Sequence, residues 1–257
     1  GVTMNGAMSG WQLILYGTLA TVATGLASGL GALPVLVFRN VSDKVLDALL
    51  GFAAGVMLAA TAFSLLVPAI KVGGIWLTSS GIVIGAIFLA YSDRIIPHIH
   101  FVSGAEGPSS TLKRIWLLIL AITLHNFPEG LSVGVGFGSG DLATAVTLAI
   151  AIAIQNMPEG LAVALPLIRE GYSPLRSLLY ATLAGLAEPI AGFLGAAAVA
   201  LARPIVPVAM GFAAGAMLYV ISEEIIPETH RKGYARVGTT GLLGGFIVMM
   251  VLDNLFH

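Results

Sequence analysis

His125-Asn126-Phe127-Pro128-Glu129-Gly130 and Gln155-Asn156-Met157-Pro158-Glu159-Gly160 are two versions of one pattern, each set inside a long apolar run. In both, a nitrogen or oxygen donor stands four residues before a glutamate. On a helix this spacing stacks the two side chains on one face, ~5.4 Å apart along the axis, so that the pair can grip one cation. Pro128 and Pro158 each remove a backbone N–H, which frees the carbonyls of Leu124 and Ile154 and predicts a bend in each helix.

Around these motifs the chain is unusually apolar. Of its 257 residues 57% are hydrophobic and 10% are charged, against the about 25% charged residues of soluble domains. With a mean hydropathy of +0.96, this composition predicts an integral membrane protein. The net charge of -1 and the scattered basic residues exclude a nucleic-acid footprint. Cysteine is absent, which excludes disulfides, thiolate ligands and iron–sulfur chemistry and leaves His, Glu, Asp, Asn, Gln and Met as donors.

Apolar stretches of spanning length run at about 11–38, 45–70, 74–96, 115–137, 142–168, 174–201, 205–226 and 237–256. The expectation is one all-α transmembrane domain over residues 1–257 with eight membrane helices. The first ten residues have neither a basic n-region nor a cleavage pattern and are not read as a signal peptide. Alternate connections divide the twelve Lys and Arg residues ten to two, only Lys71 and Arg203 falling on the poorer side. Basic residues collect in cytoplasmic loops, so both termini are expected to be extracytoplasmic. The longest connection, about 97–114, carries His98 and His100 and reads as a solvated loop with two potential metal donors.

Gly51-Phe52-Ala53-Ala54-Gly55-Val56-Met57-Leu58 recurs as Gly211-Phe212-Ala213-Ala214-Gly215-Ala216-Met217-Leu218, identical at seven of eight positions, with Pro68 and Pro227 following. In the topology above the second and seventh helices run in opposite directions, as do the fourth and fifth. An inverted repeat of interrupted helices meeting near the bilayer midplane is a signature of secondary transporters.

Glu129, Glu159 and Glu188 fall near mid-membrane, where each ionised group costs at least ~2.5 kcal/mol. No Lys or Arg lies at that depth in the same helices, so protons or metal cations must compensate. One divalent ion leaves the three carboxylates one charge short and two overcompensate by one, which makes a binuclear centre with bridging glutamates electrostatically sensible. His125, Glu129, Gln155 and Glu159 share faces and can form one position. Asn126 and Asn156, three residues before the same glutamates, can form a second with Glu188. Imidazole with carboxylates suits Zn²⁺ or a similar ion, and the amides admit Mn²⁺ or Fe²⁺. The structural alternative is a set of protonated glutamates bonded between helices.

The eight-helix plan, the motif with His125, Asn126, Pro128, Glu129 and Gly130, and its partner with Asn156, Pro158 and Glu159 resemble the ZIP family of zinc and iron permeases over essentially the whole chain. The resemblance implies a divalent-metal transporter with a binuclear centre, a homodimer, carrying metal into the cytoplasm, with no organic cofactor. It also implies a unit of the first, fourth, fifth and sixth helices moving against the other four. Many family members have histidine where this chain has Gln155, and a neutral amide there should weaken binding of borderline ions. The expected cargo is therefore Zn²⁺ with Cd²⁺, and Fe²⁺ or Mn²⁺, rather than Zn²⁺ alone. The histidine-rich loop and large extracellular domain of many eukaryotic relatives are missing, which favours a bacterial-type protein of the inner membrane.

Ile152 and Leu148 lie three and seven residues outward of Gln155. With Met57 and Met217 they make a candidate outer gate. Ser64 is a candidate outer ligand. Asp93, His98, His100, Glu223, Glu224, Glu228 and His230 are candidate pathway residues on the cytoplasmic side. Competing classes are a divalent-metal channel, a proton-conducting or purely structural membrane protein, and an intramembrane metalloprotease. The last lacks its His-Glu-x-x-His run here.

Overall fold

A computed structural model of the chain describes residues 8–38, 40–100, 104–110 and 114–256, apart from the side chains of His100, Arg114 and Leu118. Its helices are α1 (Gly10–Ala32), α2 (Asp43–Ala60), α3 (Val67–Ile95), α4 (Arg114–Ser139), α5 (Leu142–Arg169), α6 (Pro174–Gly185), α7 (Ala187–Leu201), α8 (Val206–Val220), α9 (Ile226–Arg231) and α10 (Ala235–Phe256). Polar residues cap the starts of four of them. Ser9 and Gln12 form a reciprocal capping box on α1, and the side chains of Ser42, Asp141 and Ser173 accept from the first turns of α2, α5 and α6.

Seven helical stretches among the described residues are long and apolar enough to cross a membrane. The second and third expected spans lie in one of these, a 53-residue stretch from Asp43 to Ile95. At ~1.5 Å per residue it would be ~80 Å long if straight, far more than the ~30 Å hydrocarbon layer. Its non-helical residue is Gly74, with φ 78° and ψ 172°, a backbone setting that glycine adopts without steric cost.

Both copies of the repeat end in a π-helical turn, Thr61–Leu66 after α2 and Ile221–Ile225 after α8. Pro68 and Pro227 follow these turns, and a proline cannot donate to the carbonyl four residues back, so the ladder widens just before it. The sixth expected span is likewise broken, between α6 and α7 at Leu186. Pro189 lacks the N–H that Gly185 would bond.

The expected solvated loop at about 97–114 holds an antiparallel hairpin, β1 (His98–His100) with β2 (Gly104–Glu106), in which His98 pairs with Glu106. His98 is buried rather than solvated, which corrects the reading of this segment as open loop.

The most extensive contacts join α3 to α8, α2 to α10, α4 to α7, α2 to α5, and α1 to α4, α5, α6 and α7. Glycines bring backbones together at these seams: Gly51 meets Gly238, Gly81 meets Val208, Gly134 meets Gly192, and Gly25 meets Gly185.

Candidate metal centre

The two motif helices run on through their prolines, Pro128 inside α4 and Pro158 inside α5. The motif glycines decide what comes near. A Cβ at Gly130 would fall on the backbone of Glu188, and one at Gly160 on the backbone of Ser28 in α1. Glu188 of α7 is thereby drawn against the α4 motif, and α1 against the α5 motif.

Glu129 is fully buried, in the field of Glu159 and Glu188 and beside the Gln155 amide. Apart from the Gln155 amide, no donor serves its carboxylate oxygens within the described structure, and Glu159 Oε1 and Gln155 Oε1 accept no hydrogen bond there. Four buried acceptor atoms from α4 and α5 thus share only the Gln155 amide as a donor, an arrangement costing several kcal/mol in a medium without water. A divalent cation satisfies acceptors of this kind.

Glu188 is placed differently. Its Oε1 accepts from Asn156 Nδ2 at 2.6 Å and its Oε2 accepts from the hydroxyl of Thr24 on α1. The same Asn156 amide lies 2.8 Å from the Thr24 carbonyl, and Asn156 Oδ1 accepts from Gln155 Nε2 at 2.5 Å. Asn126 Nδ2 donates to the Ala184 carbonyl at 2.8 Å, an acceptor at the break between α6 and α7. Of the grouping of Asn126, Asn156 and Glu188 read from spacing, Asn156 and Glu188 are hydrogen-bonded to each other, while Asn126 is turned to the helix break. Thr24 escaped the sequence reading. The signal was available, since Thr21, Thr24 and Ser28 recur at helical spacing in an apolar run and all three are buried.

His125 shares a helical face with Glu129, but its Nε2 is paired with Glu224 Oε2 from the π-turn after α8. From here a cavity of ≈ 140 Å³ opens, lined at one end by His125, Asn126 and Glu159 and elsewhere by Leu46, Val163, Glu223, Glu228 and Lys232. Along α5 the cavity lies on the C-terminal side of Gln155. On the N-terminal side Leu148 and Ile152 join Met57 and Met217 in one packed cluster, all four fully buried.

The other candidate residues spread over both ends. His98 Nε2 stands 3.1 Å from Asp93 Oδ1 and 3.8 Å from Glu106 Oε2, and ligand atoms of these three residues lie within 4.8 Å of one another. Glu106, not singled out in the sequence, also lines the cavity. The side chain of His100 lies outside the described residues. Glu228 pairs with Lys232 at 3.8 Å, and His230 Nδ1 bonds the Ile226 carbonyl of its own helix at 2.8 Å. Ser64 donates to Asp253 Oδ1 at 2.9 Å rather than back to its own helix.

The family model described as ZIP Zinc transporter matches residues 102–253, from the hairpin through both motifs to α10. The chain belongs to the ZIP family. It is 41% identical to the zinc transporter GufA of Myxococcus xanthus, over 92% of this chain and 97% of that protein. It is 43% identical to the zinc transporter ZIPB of Bordetella bronchiseptica, over 93% and 81%, and 36% identical to the human zinc transporter ZIP11, over 96% and 98%. This ZIP protein is a multi-span membrane transporter of divalent metal and not an enzyme, which removes the metalloprotease from consideration.

Proposed function

We propose that this ZIP protein takes up Zn²⁺, together with Cd²⁺ and with Fe²⁺ or Mn²⁺, across the bacterial inner membrane into the cytoplasm, as the homodimer that the family resemblance implies. The observation that carries the proposal is the set of donor-poor buried acceptors on Glu129, Gln155 and Glu159, with no Lys or Arg at that depth in the same helices. A passing divalent ion supplies the charge that the protein withholds. Glu129 and Glu159 are the shared carboxylates, Gln155 a neutral donor, and His125 the imidazole. Asn126, Asn156 and Glu188 complete a second position.

Eight spans with both ends outside are supported by the order of helix contacts. Gly51 meets Gly238 and Gly55 meets Leu242, so α2 and α10 advance together; Thr78 meets Gly211 and Ile82 meets Gly215, so α3 and α8 do too. Successive spans α8 and α10, joined by a short turn, run in opposite directions. The chain can parallel both only by reversing within α3, at Gly74. With the ten-to-two distribution of basic residues, the cavity then faces the cytoplasm and the Met57, Leu148, Ile152, Met217 cluster closes the outer side.

Release follows the acids that border the cavity. The ion leaves Glu159 and His125 for Glu224, then Glu223 and Glu228, with Asp93 and His98 beside the exit. Binding at these protonatable ligands displaces protons, so uptake weakens as pH falls.

The test is uptake of Zn²⁺, Cd²⁺, Mn²⁺ and Fe²⁺ into proteoliposomes by wild type, Glu159→Gln and His125→Ala, each checked for folding by thermal unfolding. Saturable uptake reduced at least about tenfold in Glu159→Gln is expected, since a lost metal ligand removes more than 1.4 kcal/mol. Wild-type flux in a folded Glu159→Gln variant overturns the reading, and flux that does not saturate favours a channel.

A further inference from the structure

The acceptors of the centre are divided unequally. On the side of Glu129, Gln155 and Glu159 they have no donor but the Gln155 amide, whereas both oxygens of Glu188 are engaged, Oε1 by the Asn156 amide at 2.6 Å and Oε2 by the Thr24 hydroxyl. Thr24 is itself 1% exposed, and its hydroxyl has a second acceptor, the Thr21 carbonyl at 3.2 Å. One hydroxyl proton serves one acceptor well at a time. Thr24 can therefore hold Glu188 or release it and turn to its own helix without burying an unsatisfied group.

We propose that Thr24 is the positioning residue that sets how readily the centre takes a second ion: its hydroxyl, by holding Glu188, keeps the second position weaker than the first, which Glu129 and Glu159 form. The inference rests on the transport reading above and goes beyond it in assigning occupancy to a residue that touches no ion. A hydrogen bond to a carboxylate is worth enough to shift an affinity by about tenfold or more. The second ion must take Glu188 from Thr24 and bears that cost, while the first ion does not.

The experiment is Cd²⁺ titration of the detergent-solubilised full chain by calorimetry, with bound metal counted independently. Wild type, Thr24→Val, Thr24→Ala, Thr24→Ser and Glu188→Gln are compared after a thermal-unfolding check. Wild type is expected to bind one Cd²⁺ tightly and a second more weakly. Removing the hydroxyl in Thr24→Val or Thr24→Ala tightens the second ion about tenfold and leaves the first within about threefold; Thr24→Ser restores the wild-type pattern, and Glu188→Gln abolishes the second ion. An unchanged or weakened second ion in folded Thr24→Val and Thr24→Ala overturns the role of Thr24 alone. A wild-type chain that binds no Cd²⁺ overturns the transport reading itself.

Discussion

Gly130 shows how a single missing side chain places a carboxylate. In an exposed helix alanine is favoured over glycine by about 1 kcal/mol, so Gly130→Ala would stabilise α4 if nothing stood beside it. The neighbour is the backbone of Glu188, which cannot swing aside as a flexible side chain would. Overpacking of that kind costs about 1–3 kcal/mol and wins. Gly130→Ala is expected to lower the melting temperature and to reduce metal uptake by displacing Glu188. Gly244→Ala in α10, where a Cβ has nothing within 4 Å, is expected to be neutral or slightly stabilising. Equal effects at the two sites in thermal unfolding would show that α4 and α7 are not keyed through Gly130.

At the scale of elements, the repeat is one device used twice: a glycine-rich helix, a π-turn, then a proline. The first turn has six residues and the second five, which accounts for Pro227 standing one position earlier in its copy than Pro68 does. The widened turn at Ile221–Ile225 carries Glu223 and Glu224, and it is there that Glu224 reaches His125. Pro227→Ala restores the missing N–H and lets an α-helical ladder run through. Each residue of a helix turns by about 100°, so losing the extra residue of the π-turn swings Glu224 away from His125. Uptake is expected to fall several-fold while the melting temperature holds or rises, since an interior proline costs a helix ~3 kcal/mol. Unaltered uptake together with a regular helix would leave the π-turn without a role in the pathway.

Taken whole, close glycine contacts gather the helices into three bodies, α1 with α4, α5, α6 and α7, α2 with α10, and α3 with α8. Backbone-to-backbone glycine contacts lie within each body, as at Gly134–Gly192 and Gly245–Phe52. Between the bodies the aliphatic side chains of Met57, Leu148, Ile152 and Met217 meet instead. Glycine seams lock backbones in register, whereas smooth side chains can slide or part, as a site opening to each side in turn requires. The chain has no cysteine, so single cysteines can be labelled cleanly. A hydrophilic thiol reagent is expected to modify Val163→Cys on the cavity wall at least about tenfold faster than Ile152→Cys in the packed cluster, from the water exclusion of close-packed interiors. Leu148→Ala is expected to raise the rate at Ile152→Cys and to cost about 2–5 kcal/mol. Similar rates at the two positions would sink the one-sided opening.

Much of this was legible without coordinates. The apolar runs, the antiparallel repeat, the spacing of His125 to Glu129 and of Gln155 to Glu159, and the want of a buried cation are local or compositional facts, and they sufficed for a membrane transporter with an acidic centre. Periodicity assigns each residue to a face of its own helix. It cannot say which face of another helix arrives opposite. The Thr24–Glu188 bond joins residues 164 apart, the His125–Glu224 pair joins α4 to the turn after α8, and Asn126 reaches the Ala184 carbonyl, 58 residues away. His98 is buried because a hairpin folds it against Asp93 and Glu106. These partnerships depend on glycine-set distances between helices, so packing in three dimensions chose them.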